Sequence, residues 1–341
     1  MSNDSPSSSF SEWQLVDRHP SLTRSDRTLL SLFESFPIDS GWTVLQPPLT
    51  AITSNEEFDL AVKKAGFIEN LSRNSIAQLI RNSGIPNNRR AQVWKLLLER
   101  ERLGGALTGF ALPRMNLPKF CEKVTIADEI KEQIAKDVAR TRPESDCKSF
   151  QENLTKVLEN YASLRPLVGY CQGMSYVAAV FLQSGFTVEM AFSGFCAFCD
   201  EVATDFYIPS LGGLHDAVND LERFLKREYP EITRNLKRLG LPLLWVTAEP
   251  FLCIFSRTFP LFAIFRFWDM IMLQGKRGVI AVMAALLIMS RNVFESESNE
   301  PDDSPSMNHL QAFQRKTQTL ASSNVEQVVH MAFSVIDRDC L

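Results

Sequence analysis

Val279-Ile280-Ala281-Val282-Met283-Ala284-Ala285-Leu286-Leu287-Ile288-Met289 is the longest apolar run in the chain. A membrane-spanning helix needs about 20 apolar residues at 1.5 Å of rise per residue, so this run is too short to cross a bilayer. A helix that is apolar on nearly every side has to be covered by other protein elements. The run therefore reads as the central helix of a folded core, and the rest of the chain has to supply the layer around it.

That layer is legible as helical stripes. Ile126, Ile130, Ile134 and Val138 recur in steps of four. Phe150, Leu154, Val157, Leu158 and Tyr161 form a second stripe, closed by Arg165-Pro166. Leu214, Val218, Leu221 and Leu225 form a third, closed by Pro230. Upstream, Gly84-Ile85-Pro86-Asn87-Asn88 stops one helix and starts another, and Arg90, Val93, Trp94, Leu97 and Leu98 then recur at helical spacing. Val325 to Val335 gives a last amphipathic helix. No window alternates apolar and polar residues between regular turn signals, so no sheet is expected. The fold class is all-α from about residue 76 to 340.

The chain has 341 residues, which allows two domains or one large domain with tails. Its 45% apolar and 22% charged residues are those of a folded globular protein. Residues 1–27 are rich in Ser, Asp and Pro and read as a mobile segment. Residues 28–77 mix short apolar clusters with Pro and Gly, and read as a partly irregular extension packing on or near the main domain. Residues 78–340 form that domain, interrupted by a flexible acidic loop near 295–306 that contains Asp302-Asp303-Ser304-Pro305.

Several function classes are disfavoured. Lys and Arg number 36 against 40 Asp and Glu, a net charge of -4, which argues against a general nucleic-acid binder. The odd count of seven Cys, mostly in apolar surroundings, reads as reduced thiols rather than a disulfide framework. The first residues have neither the basic nor the apolar region of a secretion signal. A cytoplasmic protein without direct membrane insertion is expected. No Gly-x-x-x-x-Gly-Lys-Ser/Thr loop, dinucleotide glycine fingerprint or Gly-x-Ser-x-Gly elbow is present. The four His are scattered, and Cys196-x-x-Cys199 lacks a second ligand pair, so no metal site is expected.

Two polar constellations remain. In Ile134-Ala135-Lys136-Asp137-Val138-Ala139-Arg140-Thr141-Arg142-Pro143, the residues Ile134, Asp137 and Arg140 fall within roughly a 120° arc of a helix. Asp137 and Arg140 border the apolar stripe near a helix end set by Pro143. They are either a solvated i, i+3 ion pair or an arginine whose stem is held so that its fork points outward. In Val168-Gly169-Tyr170-Cys171-Gln172-Gly173-Met174-Ser175, two glycines allow a tight loop that Tyr170 and Met174 anchor. Gln172 either satisfies local backbone groups at a helix start or is presented at a surface. Spacing leaves both pairs of alternatives open.

Taken in order, these stretches resemble the TBC-domain family, the GTPase-activating proteins of Rab GTPases. Gly84-Ile85-Pro86 with Arg90-x-x-x-Trp94 is similar to the family's opening motif. Ile134-x-x-Asp137-x-x-Arg140-Thr141-x-Pro143 is similar to its arginine-finger motif, and Val168-Gly169-Tyr170-x-Gln172-Gly173-Met174 to its glutamine-finger motif. Trp245, Phe255, Pro260 and Arg266-Phe267-Trp268-Asp269 with Gly275 resemble its C-terminal half. Ala91 stands where the family often has Gly, and Phe267 where it usually has an aliphatic residue.

The resemblance implies an all-α TBC domain that is not itself an enzyme but an activator acting on a GTP-bound Rab-family GTPase in vesicle trafficking. It implies no cofactor of the chain's own, since GTP and Mg²⁺ come with the partner. Arg140 would stabilise charge on the transferred phosphoryl group and Gln172 would orient the attacking water. Asp137, Arg90 and Tyr170 would support them, and Ile134, Trp94, Trp268 and Asp269 would be structural. The alternative class is a non-catalytic GTPase-binding adaptor or effector.

Overall fold

In the computed structural model the described residues run from Asn55 to Arg338, without 105–119, 122, 142–147, 204 and 296–304. The expected mobile segment 1–27, the first part of the extension and nearly all of the acidic loop lie outside them. Every regular element among the described residues is helical. Besides two short 3-10 turns, Ile68–Asn70 and Arg291–Phe294, the α-helices in chain order are α1 (Glu56–Ala65), α2 (Arg73–Asn82), α3 (Asn87–Gly104), α4 (Asp128–Arg140), α5 (Lys148–Leu164), α6 (Met174–Gln183) and α7 (Val188–Glu201). They continue with α8 (Gly212–Glu228), α9 (Pro230–Arg238), α10 (Leu243–Leu252), α11 (Leu261–Gln274), α12 (Lys276–Met289), α13 (Pro305–Ser323) and α14 (Val325–Asp337).

The apolar run that opened the reading lies in α12, and every residue from Gly278 to Ile288 is buried. Helices α8, α10, α11 and α14 pack against it. Each fully buried Ile or Leu there contributes about 1.5–3 kcal/mol relative to exposure, so this helix has no stable solvated alternative. A second layer is built by α4, α5, α6 and α7, with α5 against α4, α6 and α7, and α3 against α7. Aromatic rings join the two layers. Trp268 of α11 stacks on Phe198 of α7 with centroids 4.8 Å apart, and Trp94 of α3 meets Trp268 at 5.6 Å.

Three boundaries differ from the sequence reading. The extension read as partly irregular contains α1, whose buried Phe58 continues into the smaller, half-buried Ala61, Val62 and Ala65 packed on the core at helical spacing. Asn55 caps α1 by accepting from the Phe58 amide at 3.2 Å, and its own amide donates to the Gly84 carbonyl at 3.2 Å. Ile126 stands outside α4, which starts at Asp128 with Asp128 and Glu129 facing the positive end of the helix dipole. Pro305, read as part of the acidic loop, is instead the first residue of α13, a position that needs no amide donor.

Candidate functional site

The site grows from the last turn of α4. Ile134 and Val138 are buried and fix the rotation of the helix, which places Asp137 at the edge of the core with only 5% of its surface exposed. Arg140 lies one turn on, near the negative end of the dipole, where a cation is favoured. Its Nε donates to Asp137 Oδ1 at 2.9 Å and its Nη2 donates to the same oxygen. Its Nη1 has no acceptor among the described residues, and the side chain stays 37% exposed.

The second arm is the loop between α5 and α6. The Val168 and Gly169 amides both donate to the Arg165 carbonyl, at 3.0 and 2.8 Å, which closes a tight turn after α5. Arg165 itself donates to Asp200 of α7 at 2.8 Å. Gly173 then takes φ +104°, and a Cβ there would stand 3.0 Å from the Leu252 carbonyl oxygen, so both conformation and space demand glycine. The fully buried Met174 starts α6 and accepts from the Cys171 amide through its sulfur at 3.3 Å.

Side chains join the two arms. The Tyr170 hydroxyl donates to Asp137 Oδ2, so one carboxylate holds Arg140 with one oxygen and the loop with the other. The Thr141 hydroxyl, just past Arg140, bonds the Asp137 carbonyl at 2.7 Å and Ser175 Oγ at 2.8 Å. The Tyr176 hydroxyl reaches the Arg140 carbonyl at 3.4 Å. A hydrogen bond to a charged acceptor contributes about 1.5–3 kcal/mol, which makes the Tyr170 contact the strongest of the three. Burial, then the Asp137 charge, push the Tyr170 phenol well above its usual range, so it stays a donor. The same two causes raise the Cys171 thiol to about 12, which leaves it un-ionised and poorly nucleophilic.

Gln172 sits on this braced loop, half-buried, and its side-chain amide makes no hydrogen bond among the described residues. The structure thus brings Arg140, Asp137, Tyr170 and Gln172 onto two tied segments. Thr141, Ser175 and Tyr176 are the ties that spacing did not reveal. Thr141 and Ser175 are 34 positions apart, and no local period couples residues at that distance.

Arg90 belongs to a different group. Its Nε donates to Asp269 Oδ1 at 2.9 Å, its Nη2 to the Ile85 carbonyl at 2.6 Å and to Asp269 Oδ2 at 3.2 Å, and its Nη1 to Asn87. Trp94 Nε1 donates to Asp269 Oδ1 at 2.8 Å and the Ile85 amide to Oδ2 at 3.3 Å. The guanidinium also lies 4.6 Å above the Phe265 ring. Arg90 shares no described hydrogen bond with Asp137, Arg140 or Tyr170, so its bonds serve the core rather than the two arms. Beside it, Arg266 grips Glu326 of α14 at 2.7 and 2.6 Å, and its Nη1 donates to the Ile80 carbonyl of α2 at 3.2 Å. Gly84 is glycine because a Cβ would stand 2.8 Å from that Nη1, on a backbone at φ +78°.

Cys196 and Cys199 are both buried on α7, and burial pushes the Cys199 thiol well above its usual range. No group of three metal-ligating side chains occurs among the described residues, and no helix among them is long and apolar enough to cross a membrane.

The Rab-GTPase-TBC domain family matches residues 87–294, well over half of the chain. The chain belongs to this family. It is 26% identical over 228 residues to the growth hormone-regulated TBC protein 1 of Xenopus tropicalis, covering 64% of this chain and 64% of that protein. It is 28% identical over 256 residues to the GTPase-activating protein gyp2 of Schizosaccharomyces pombe, covering 72% of this chain and 33% of that one. The chain therefore spans under two thirds of the length of these relatives. In fold it is similar to the Ypt/Rab-GAP domain of Gyp1p, with a TM-score of 0.62 at 19% identity, covering 82% of this chain and 98% of that one. Within the matched residues, the Asp137–Arg140 segment ends α4 and the Gln172 segment forms the α5–α6 loop.

Proposed function

We propose that this TBC domain accelerates GTP hydrolysis on a Rab-family GTPase by supplying Arg140 and Gln172 in trans. One observation carries the reading: a single buried carboxylate, Asp137, holds the outward arginine with one oxygen and the loop bearing the unbonded glutamine amide with the other. Such an arrangement ties the two groups to one brace before a partner arrives, and preorganised donors stabilise a charged transition state without reorganising.

The residues divide the work. Arg140 brings a planar cation toward the phosphoryl oxygens where charge develops, a contribution of about 10³–10⁵ in rate for arginine fingers generally. Its pairing with Asp137 limits its rotamers without using all of its donors. Gln172 has both a donor and an acceptor, which is what orienting a water toward phosphorus requires. GTP and Mg²⁺ arrive with the GTPase. The chain's own reaction is then none, and its effect is on the partner's turnover in membrane trafficking, with any membrane attachment supplied by that partner.

Single-turnover hydrolysis across a panel of GTP-loaded Rab proteins tests this, with the wild type, Arg140→Ala and Gln172→Ala side by side. Acceleration of one or a few Rabs that both variants lose is the expected result. GTP-selective binding with hydrolysis at the intrinsic rate would instead assign the chain as an effector.

A further inference from the structure

The end of α10 and the turn that follows it meet the Gln172 loop directly and the Arg140 arm through Tyr176. Gly173 is seated on the Leu252 carbonyl and the Cys253 sulfur, at 3.0 and 3.4 Å from where its Cβ would stand. The same carbonyl accepts from the Tyr207 hydroxyl at 3.0 Å, so the seat is itself fixed from another direction. Immediately after it, Ile254 and Phe255 take φ of 44° and 59°, a left-handed conformation that a β-branched residue such as Ile rarely adopts. Such backbone persists only where surrounding contacts over-determine it. Here they do: the Phe255 amide donates to the Pro250 carbonyl at 2.8 Å, the Ser256 amide to the Cys253 carbonyl at 2.9 Å, and Trp268 Nε1 to the Ile254 carbonyl at 2.9 Å.

The turn also carries Arg257, whose charge acts on the Tyr176 hydroxyl. Tyr176 in turn donates its hydroxyl hydrogen to the Arg140 carbonyl at 3.4 Å, which leaves the oxygen facing the Arg257 cation. Behind Arg257 stands Glu249, buried, with Oε1 lacking a hydrogen-bond partner among the described residues. Burial disfavours the Glu249 charge and Arg257 favours it.

We propose that this strained turn is a platform that positions both fingers. The Leu252 carbonyl is the seat of the Gln172 loop, and Arg257, acting through Tyr176, is a positioning residue for Arg140. The proposal rests on the activator reading. It adds residues that never touch the nucleotide but set how the two fingers stand relative to one another.

Tyr176→Phe is the sharpest test, because it removes one hydroxyl and keeps the ring's packing. Single-turnover hydrolysis as a function of TBC-domain concentration separates the maximal rate from the half-saturating concentration. Amide hydrogen exchange reads the brace without any partner. We expect the maximal rate to fall about tenfold with half-saturation unchanged, since small misplacements of catalytic groups cost that much or more. Amides of 138–141 and 172–177 should exchange faster while the α12 core does not. Arg257→Gln should behave alike, and Arg257→Lys, which keeps a cation beside Glu249, should retain more of the rate.

Unchanged maximal rate and unchanged local exchange in Tyr176→Phe overturn the proposal. So does a rate loss in these variants that tracks a general fall in melting temperature without local exchange changes. If the wild type accelerates no Rab but exchange still rises locally in Tyr176→Phe, the platform stands and the activator reading is the one that fails.

Discussion

Two aspartate–arginine pairs in this molecule use the same chemistry for opposite ends. Asp269 and Arg90 lie in the core, at 0% and 2% side-chain exposure, and Nε, Nη1 and Nη2 of Arg90 all have partners within the protein. Asp137 and Arg140 lie at a helix end, at 7% and 37%, and the guanidinium is gripped on one edge only. The carboxylate is buried in both. What differs is how many donors the arginine has left over. A buried pair whose arginine has a partner on every nitrogen is a fold element, whereas a pair whose aspartate is buried and whose arginine is not can aim a cation outward.

The largest expected effect breaks the outward pair. Arg140→Ala should lower the stimulated single-turnover rate by about 10³–10⁵ while leaving folding intact, because Asp137 keeps its Tyr170 partner. Arg140→Lys should fail nearly as badly, since an ammonium cannot take the Asp137 bonds and present a planar edge at once. Full activity in Arg140→Lys would remove Arg140 from the mechanism.

Breaking the inward pair should give the complementary result. Asp269→Ala strands Arg90 in the core and should cost about 3–5 kcal/mol in urea unfolding, with the stimulated rate per folded molecule unchanged. A specific rate loss in Asp269→Ala without destabilisation would erase the distinction between the two pairs. Next in size, Gln172→Ala should lower the stimulated rate by about 10²–10³, the usual loss on removing one preorganised donor, with no change in melting temperature. If the rate survives, the partner uses its own water-positioning group and Gln172 is structural.

The smallest effects concern the tie between the arms. Tyr170→Phe should cost about 1.5–3 kcal/mol of stability, because Asp137 loses a hydrogen bond at Oδ2. The pH dependence follows from the raised Tyr170 phenol. Below about pH 10 it is protonated in both folded and unfolded chains and contributes no pH dependence. Above that, the unfolded chain ionises first, so stability should decline with rising pH, and less steeply in Tyr170→Phe.

The all-α class and most helix positions were legible because apolar stripes with steps of three and four leave little choice of structure. Shorter and weaker signals were not: α1 sets only the small or medium side chains of Ala61, Val62 and Ala65 beside Phe58, and the start of α13 follows an acidic segment that carries no periodic signal. Within the site, residue identities and motif order pointed to Arg140 and Gln172. Spacing alone could not separate a finger from a surface ion pair, because Asp137 and Arg140 look the same in either case. Nor could it tell which role Arg90 plays.

By itself, then, the sequence determined that the core closes around residues 279–289 and which helices turn which stripe inward, since periodic apolar burial is a local property summed along the chain. Only the tertiary structure decided which arginine is aimed outward and which is enclosed. That depends on which distant donors each carboxylate also accepts from, Tyr170 from 33 positions away for Asp137, and Trp94 and Ile85 from 175 and 184 positions away for Asp269. Contacts of that range are set by how the helices pack, and no periodicity in the chain encodes them.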